Sequence, residues 1–316
     1  MRQGKDRESR SRKTATRYWL PFLFVVMVLF SLAVVNAGER VIWARGNEST
    51  LRVVTDLPAG QEVGAINNFA SREELLQELD GLVGGEDGKF GIYVVELDTG
   101  ESYGIDEGQG FQAASTVKVP ILADLYQEIE AGNVSREELM TYTSDDYEEG
   151  SGSIQYTDFG SVWTVAELAQ KMMKESDNVA KNMLIRRLGI DQINAFIYEQ
   201  GSAWDLVNNL TTPVSIANML ERMYENQITD QADTGEMFDL MTNTDFEDGL
   251  PRFLPGVRIA HKTGAWGNSV SDAGIVFLEG KPYIICVYSD DNPSPDDALA
   301  TIGTISLDVY DYEAGR

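Results

Sequence analysis

The tightest constraint on this chain is a scarcity: its 316 residues include one cysteine, Cys286, and one histidine, His261. A lone cysteine closes no intrachain disulfide. The two residues together cannot supply the three or four ligands of a Cys/His zinc site, nor hold an iron–sulfur cluster. Any Ser-His-Asp triad would have to use His261. Oxygen-ligand metals stay open, because acidic side chains are plentiful. A composition of 43% hydrophobic and 24% charged residues is that of a globular protein, and the length allows one large domain or two small ones. The formal charge is −26, from 25 Lys+Arg against 51 Asp+Glu. Such a surface repels phosphate, so no nucleic-acid partner is expected.

Charge is unevenly distributed. Residues 1–17 hold seven basic side chains (Arg2, Lys5, Arg7, Arg10, Arg12, Lys13, Arg17) and two acidic ones. Removing them from the totals leaves 18 basic against 49 acidic residues. Between these regions lies an uncharged run of 18 residues, Tyr18 to Val35. As a helix it spans about 27 Å, enough to cross a bilayer core. Basic residues before it and acidic sequence after it orient the N-terminus toward the cytoplasm. Val35-Asn36-Ala37 loosely fits a signal-peptidase site, but the run is longer than a usual signal core, which favours a retained anchor. The expected plan is a cytoplasmic basic segment (1–17), a transmembrane anchor or signal segment (18–36), a linker (37–71) and a domain (72–316). That domain is extracytoplasmic: single-pass at the cell membrane, or secreted if the segment is cleaved.

Periodicity predicts the elements of the domain. A helix starts at Arg72, with Ser71 and Glu74 at capping-box spacing. Residues 90–97 and 101–106 form a hairpin around Asp98-Thr99-Gly100. Val117, Ile121, Leu122, Leu125 and Ile129 recur at helical spacing from Thr116 to Glu130. Residues 143–162 read as a Gly/Ser-rich loop. Thr164 to Leu188 is helical with a break near Ser176. Residues 189–201 and 215–224 are helical, three strands follow from IAHKTG onward, and Ala298–Tyr312 is an amphipathic helix. Cys286, in YIICVY, reads as buried strand. The fold class is α+β: an antiparallel sheet flanked by helices, plus an all-helical lobe.

Three motifs carry chemistry. Ser115-Thr116-Val117-Lys118 places a hydroxyl and an amine three residues apart, on one helical face. A lysine whose pKa is lowered by burial or by a second cation can act as base toward serine. Ser176-Asp177-Asn178 interrupts an apolar helical pattern. Lys262-Thr263-Gly264 sets a cation, a hydroxyl and a residue without Cβ at a strand edge, which suits an anionic group lying along it. The trio in this order arises by chance in roughly one chain in a thousand.

This trio resembles that of class A β-lactamases and penicillin-binding proteins. The flanks FQAASTVKVPIL, SDNVAKNMLIRRLG, TTPVSIANML and IAHKTG agree, as does the 61-residue step from Ser115 to Ser176. The resemblance covers residues 72–316 and implies a β-lactamase/transpeptidase-like fold. It implies that Ser115 is the acylated nucleophile and Lys118 its base partner. Ser176 would pass a proton to the leaving nitrogen, with Lys262 near enough to tune it. Asn178 would bind the substrate's side-chain amide, and Thr263 with Lys262 its carboxylate, along the Gly264 strand. The backbone N–H groups of Ser115 and Ala265 would form the oxyanion hole. His261 would be a structural or tuning residue. No cofactor and no metal are implied. The substrate would be a β-lactam or a D-Ala-ended peptidoglycan stem peptide.

One departure matters. Class A enzymes carry a glutamate in E-x-x-L-N on a long loop before the T-T-P segment. Here 32 residues separate Asn178 from Thr211, and that pattern is absent. Glu199 and Asp205 are the only stand-ins. The resemblance therefore carries over acylation, but not fast hydrolysis of the acyl-enzyme. Two other readings follow: a low-turnover penicillin-binding or sensor module, and a hydrolase triad built on His261. Tyr147 and Tyr156 could wall the cleft.

Overall fold

The computed structural model describes residues 39–42, 52–55, 69–206 and 208–316. The basic segment and the apolar run 18–35 lie outside the described residues, and so does the transmembrane helix expected there. Among the described residues, no helix is long and apolar enough to cross a membrane. The chain divides into two units, Met1–Val63 and Gly64–Arg316. In the first, β1 (Glu39–Ile42) pairs antiparallel with β2 (Arg52–Thr55). The segment read as linker therefore contains regular structure. Its short β-branched runs are too brief to show a period.

The second unit is α+β. Helix α1 (Arg72–Gly84) starts where Ser71 Oγ accepts from Glu74 N. Glu74 reaches back to Ala70 N at 2.7 Å, one residue before the expected partner. The hairpin forms as β3 (Lys89–Glu96) and β4 (Ser102–Ile105). Strands β9 (Ile259–Trp266), β10 (Ser269–Val276) and β11 (Tyr283–Asp290) complete an antiparallel sheet of order β4-β3-β11-β10-β9, the four short strands between β4 and β9 in the chain lying outside it. Cys286 is fully buried in β11, opposite Ala273 and Tyr93. Successive residues of β10 and β11 are buried, so both sheet faces are covered.

Helices fill the segment between hairpin and late strands. They are α2 (Lys118–Glu130), α3 (Val165–Lys174), α4 (Asn178–Leu188), α5 (Ile190–Glu199), α6 (Pro213–Tyr224) and α7 (Gln231–Leu240). Helix α6 packs on β3, β10 and β11, while α2 touches α4, α5 and α7 in the helical lobe. Short antiparallel pairs β5 (Phe111–Gln112) with β8 (Leu210–Thr211), and β6 (Leu139–Thr141) with β7 (Val162–Thr164), tie the loops. The expected break near Ser176 separates α3 from α4. The terminal helix is longer than expected, α8 (Pro295–Gly315). It is not two-faced either: every residue from Ile305 to Glu313 is buried, and the helix packs on β10, β11 and α1.

Candidate active site

Ser115 does not begin the long helix. It sits in a 3-10 turn, Ala114–Val117, that runs into α2 at Lys118. Strand β11 pins this turn: Tyr288 OH donates to Thr116 Oγ1 at 2.8 Å, and Thr116 Oγ1 donates to Ala113 O at 2.7 Å. Gly264 lets β9 lie directly against it. A Cβ there would sit 2.8 Å from Ala113 O and 2.6 Å from Ser271 Oγ. Ala114 has φ 48° and Ser176 φ 52°. Left-handed conformations cost a non-glycine residue of order 1–3 kcal/mol and cluster at functional sites.

Lys118 is the hub. Its Nζ lies 3.0 Å from Ser115 Oγ, 2.9 Å from Ser176 Oγ, 2.6 Å from Ser176 O and 2.9 Å from Asn178 Oδ1. The side chain is buried. Burial pushes its pKa well down, and the charges of Lys262 and Lys181 push the same way. A neutral amine has two N–H groups and one lone pair, so it cannot donate to all four oxygens. Its lone pair can instead take a proton from a serine hydroxyl. Ser115 and Ser176 both stand within reach, so the arrangement can deprotonate one hydroxyl and return the proton through the other.

The serine–aspartate–asparagine segment is held by Asp177, which is fully buried. One carboxylate oxygen caps α4 by accepting from Ala180 N at 2.9 Å, and the other accepts from Ile154 N at 2.8 Å. Asp177 is the cap of α4.

Strand alternation divides the lysine–threonine–glycine strand. Lys262 and Gly264 share the face toward the Ser115 turn. Lys262 is buried, lies over the Phe246 ring and donates to Thr263 O at 2.9 Å. Burial lowers its pKa to about 8, against a smaller opposing pull from Asp272. It acts on the serine pair through its charge at Lys118. Thr263 is on the other face, and its hydroxyl donates to Phe246 O at 3.1 Å. To donate to a substrate carboxylate it must turn from that carbonyl. His261 shares this second face. Its Nδ1 lies 2.9 Å from Asp272 Oδ1, and its Nε2 lies 3.3 Å from Glu247 Oε1. Burial opposes charge on the ring, but the two carboxylates outweigh it and raise its pKa to about 9. Both ring nitrogens are taken by carboxylates, so no triad with Ser115 forms.

Ser115 opens into a cleft of about 360 Å³. Of the residues singled out in the sequence, Ser115, Lys118, Asn178 and Ala265 line it, while Ser176, Lys262, Thr263 and Gly264 do not. Glu148, Lys181, Asn208, Asn209, Gln112 and Trp266 also line it and were not anticipated. Lys181 was findable, since it follows Asn178 by three residues on one helix. Glu148 was not, because only the folding of a polar loop brings it there. Tyr147 and Tyr156 are exposed, and the aromatic side chain lining the cleft is Trp266. Asp205 lines a separate cavity of about 950 Å³ with Trp204 and Tyr198. Its carboxylate accepts from Asn208 N at 2.9 Å and Asn208 Nδ2 at 2.6 Å. Glu199 lines neither space.

A family model described as the Beta-lactamase enzyme family matches residues 74–313. The chain belongs to this family. Among curated relatives, β-lactamase CARB-4 of Pseudomonas aeruginosa is 26% identical over 251 residues, covering 71% of this chain and 86% of that protein. A β-lactamase of Streptomyces fradiae is 25% identical over 286 residues, covering 82% and 90%. Among solved structures, PBP-A shares 30% identity with a TM-score of 0.71, covering 75% of this chain and 94% of that one. An ancestral class A β-lactamase at 23% identity and TM-score 0.70 supports the fold alone, over 75% of this chain and 98% of that one. The β-lactamase family member described here is thus a class A-like serine hydrolase, with the α+β fold the motifs implied.

Proposed function

We propose that this protein is an exported, membrane-anchored acyl-serine hydrolase acting through an acyl-enzyme on Ser115. The substrate is a β-lactam or a D-Ala-ended wall peptide, and β-lactam acyl groups are released slowly. The observation that carries this reading is the buried Lys118 amine within hydrogen-bond reach of both Ser115 and Ser176, its pKa pushed well down by that burial. Lys118 takes the Ser115 proton as the oxygen attacks the carbonyl, and Ser176 passes a proton to the departing nitrogen. The N–H groups of Ser115 and Ala265 receive the oxyanion. Asn178 holds the side-chain amide, and Lys262 with a rotated Thr263 holds the carboxylate.

Slow release is supported by the absence of an E-x-x-L-N glutamate between Asn178 and Thr211. It is also supported by the likeness to PBP-A, a variant of which is known as an acyl-enzyme complex with penicillin G. Anchoring and export rest on the apolar run and the charge asymmetry around it. Intact-mass spectrometry of the purified chain with penicillin G is expected to show one adduct, on Ser115. The adduct should be absent in Ser115→Ala and form at least about 100-fold more slowly in Lys118→Met. Absence of both adduct and turnover in the unsubstituted chain would defeat the reading. Stopped-flow deacylation then separates the substrates: an acyl-enzyme lasting minutes marks a D,D-peptidase-like or penicillin-binding protein, and release within a second a true β-lactamase.

A further inference from the structure

The rim of the Ser115 cleft carries an ion pair that takes no proton and holds no substrate group in the acyl transfer proposed above. Glu148 and Lys181 both line the cleft, with Lys181 Nζ 2.8 Å from Glu148 Oε2. Asn182 Nδ2 donates to the same oxygen at 2.9 Å. Both bonds fall on Oε2, which leaves Oε1 to accept from a bound molecule. Glu148 is the more open partner, 41% exposed against 16% for Lys181.

The loop bearing Glu148 is clamped beside Asn178. Gly150 has φ 139°, and a Cβ there would lie 2.8 Å from Asn178 Nδ2. Asn178 N donates to Ser151 O at 3.1 Å. Gly152 is closer still, since a Cβ on it would fall 2.2 Å from Asp177 Cγ. Glu148 is therefore fixed next to the residue assigned above to the substrate's side-chain amide.

We propose that Glu148 selects acyl groups that carry a protonated amine next to that amide. This rests on the Ser115 acylation reading and names the substrate class of that site. The ammonium donates to Glu148 Oε1 while Oε2 stays on Lys181, a charge-assisted bond formed without breaking the existing pair. An anionic substituent has no such place, because Lys181 is already paired with Glu148, whose open oxygen would repel it. The net charge of −26 also disfavours approach of the more anionic substrates relative to the zwitterion.

Penicillin G, ampicillin and carbenicillin share one scaffold and differ beside the amide by hydrogen, ammonium and carboxylate. Second-order acylation rate constants for the full chain, at pH about 6 where the amine is protonated, are expected to favour ampicillin over the other two. In Glu148→Gln the ampicillin-to-penicillin G ratio should fall about tenfold, and in Lys181→Gln it should rise. Ratios taken within each variant cancel any loss of folded protein. A D-Ala–D-Ala peptide with a free lysine amine, set against its acetylated form, asks whether a peptide source of the ammonium gains the same advantage. A ratio unchanged in Glu148→Gln, or a wild-type preference for carbenicillin, would overturn the proposal. No acylation by any of the three would overturn the acyl-serine reading and this proposal with it.

Discussion

Lys118 and Lys262 are two buried amines with different duties, and their surroundings separate them. Burial and, after it, two neighbouring cations push the Lys118 pKa well down, which suits it to act as a base. Lys262 has Asp272 near it and stays cationic at neutral pH, with a pKa of about 8. A binding cation fails when it loses its proton. The second-order acylation rate constant should therefore fall roughly tenfold per pH unit above about pH 8, and fall again on the acid side where Lys118 takes up its proton. Lys262→Arg keeps its charge throughout, so its profile should lose that alkaline limb whatever its absolute rate. An unaltered limb in Lys262→Arg would assign the titration to another group. His261 sits on the opposite strand face from Lys262, charged between Asp272 and Glu247. The single histidine is thus a strut between β9, β10 and the 247 loop.

At the scale of elements, the site depends on how α4 begins. Asp177 caps the helix and also holds Ile154 N in the loop that carries Glu148. Asp177→Ala removes a cap and strands a buried N–H, together about 3 kcal/mol of stability. Chemical denaturation should show that loss, and hydrogen exchange at residues 150–154 should quicken. Protection unchanged at those amides would show that the loop is held by other contacts. Several elements were legible before the structure because their local signals agree: Ser71 before α1, the hairpin turn at 98–100, the apolar spacing of α2. Others were not. Helix α7 has only three buried residues, Thr234, Met237 and Phe238, among polar neighbours, so its apolar period is too sparse to read. Strands β6 and β7 are three residues each and form only because distant segments meet. The 3-10 turn at Ser115 was read as helix because local spacing does not distinguish the two when a neighbouring strand sets the geometry.

At the scale of the whole molecule, the reading joins a basic N-terminus, an apolar run and a strongly acidic body. The full chain expressed in a bacterial host should stay with the membrane through a carbonate wash, and external protease should reach its body in spheroplasts. Recovery in the soluble exported fraction, with a mass lacking roughly the first 37 residues, would mark the run as a cleaved signal instead. The sequence by itself determined which chemical groups the protein owns: no disulfide or Cys/His metal site, and three short motifs with hydroxyl, amine and amide at fixed spacing. Those follow from residue identity and local periodicity, which need no partner to be read. Only the tertiary structure decided which groups meet. It turned His261 away from Ser115 and brought Glu148 into the cleft that Asn178 lines. Each of these outcomes depends on packing between segments tens of residues apart. Such contacts are set by the core and the loops it fixes, and no local pattern records them.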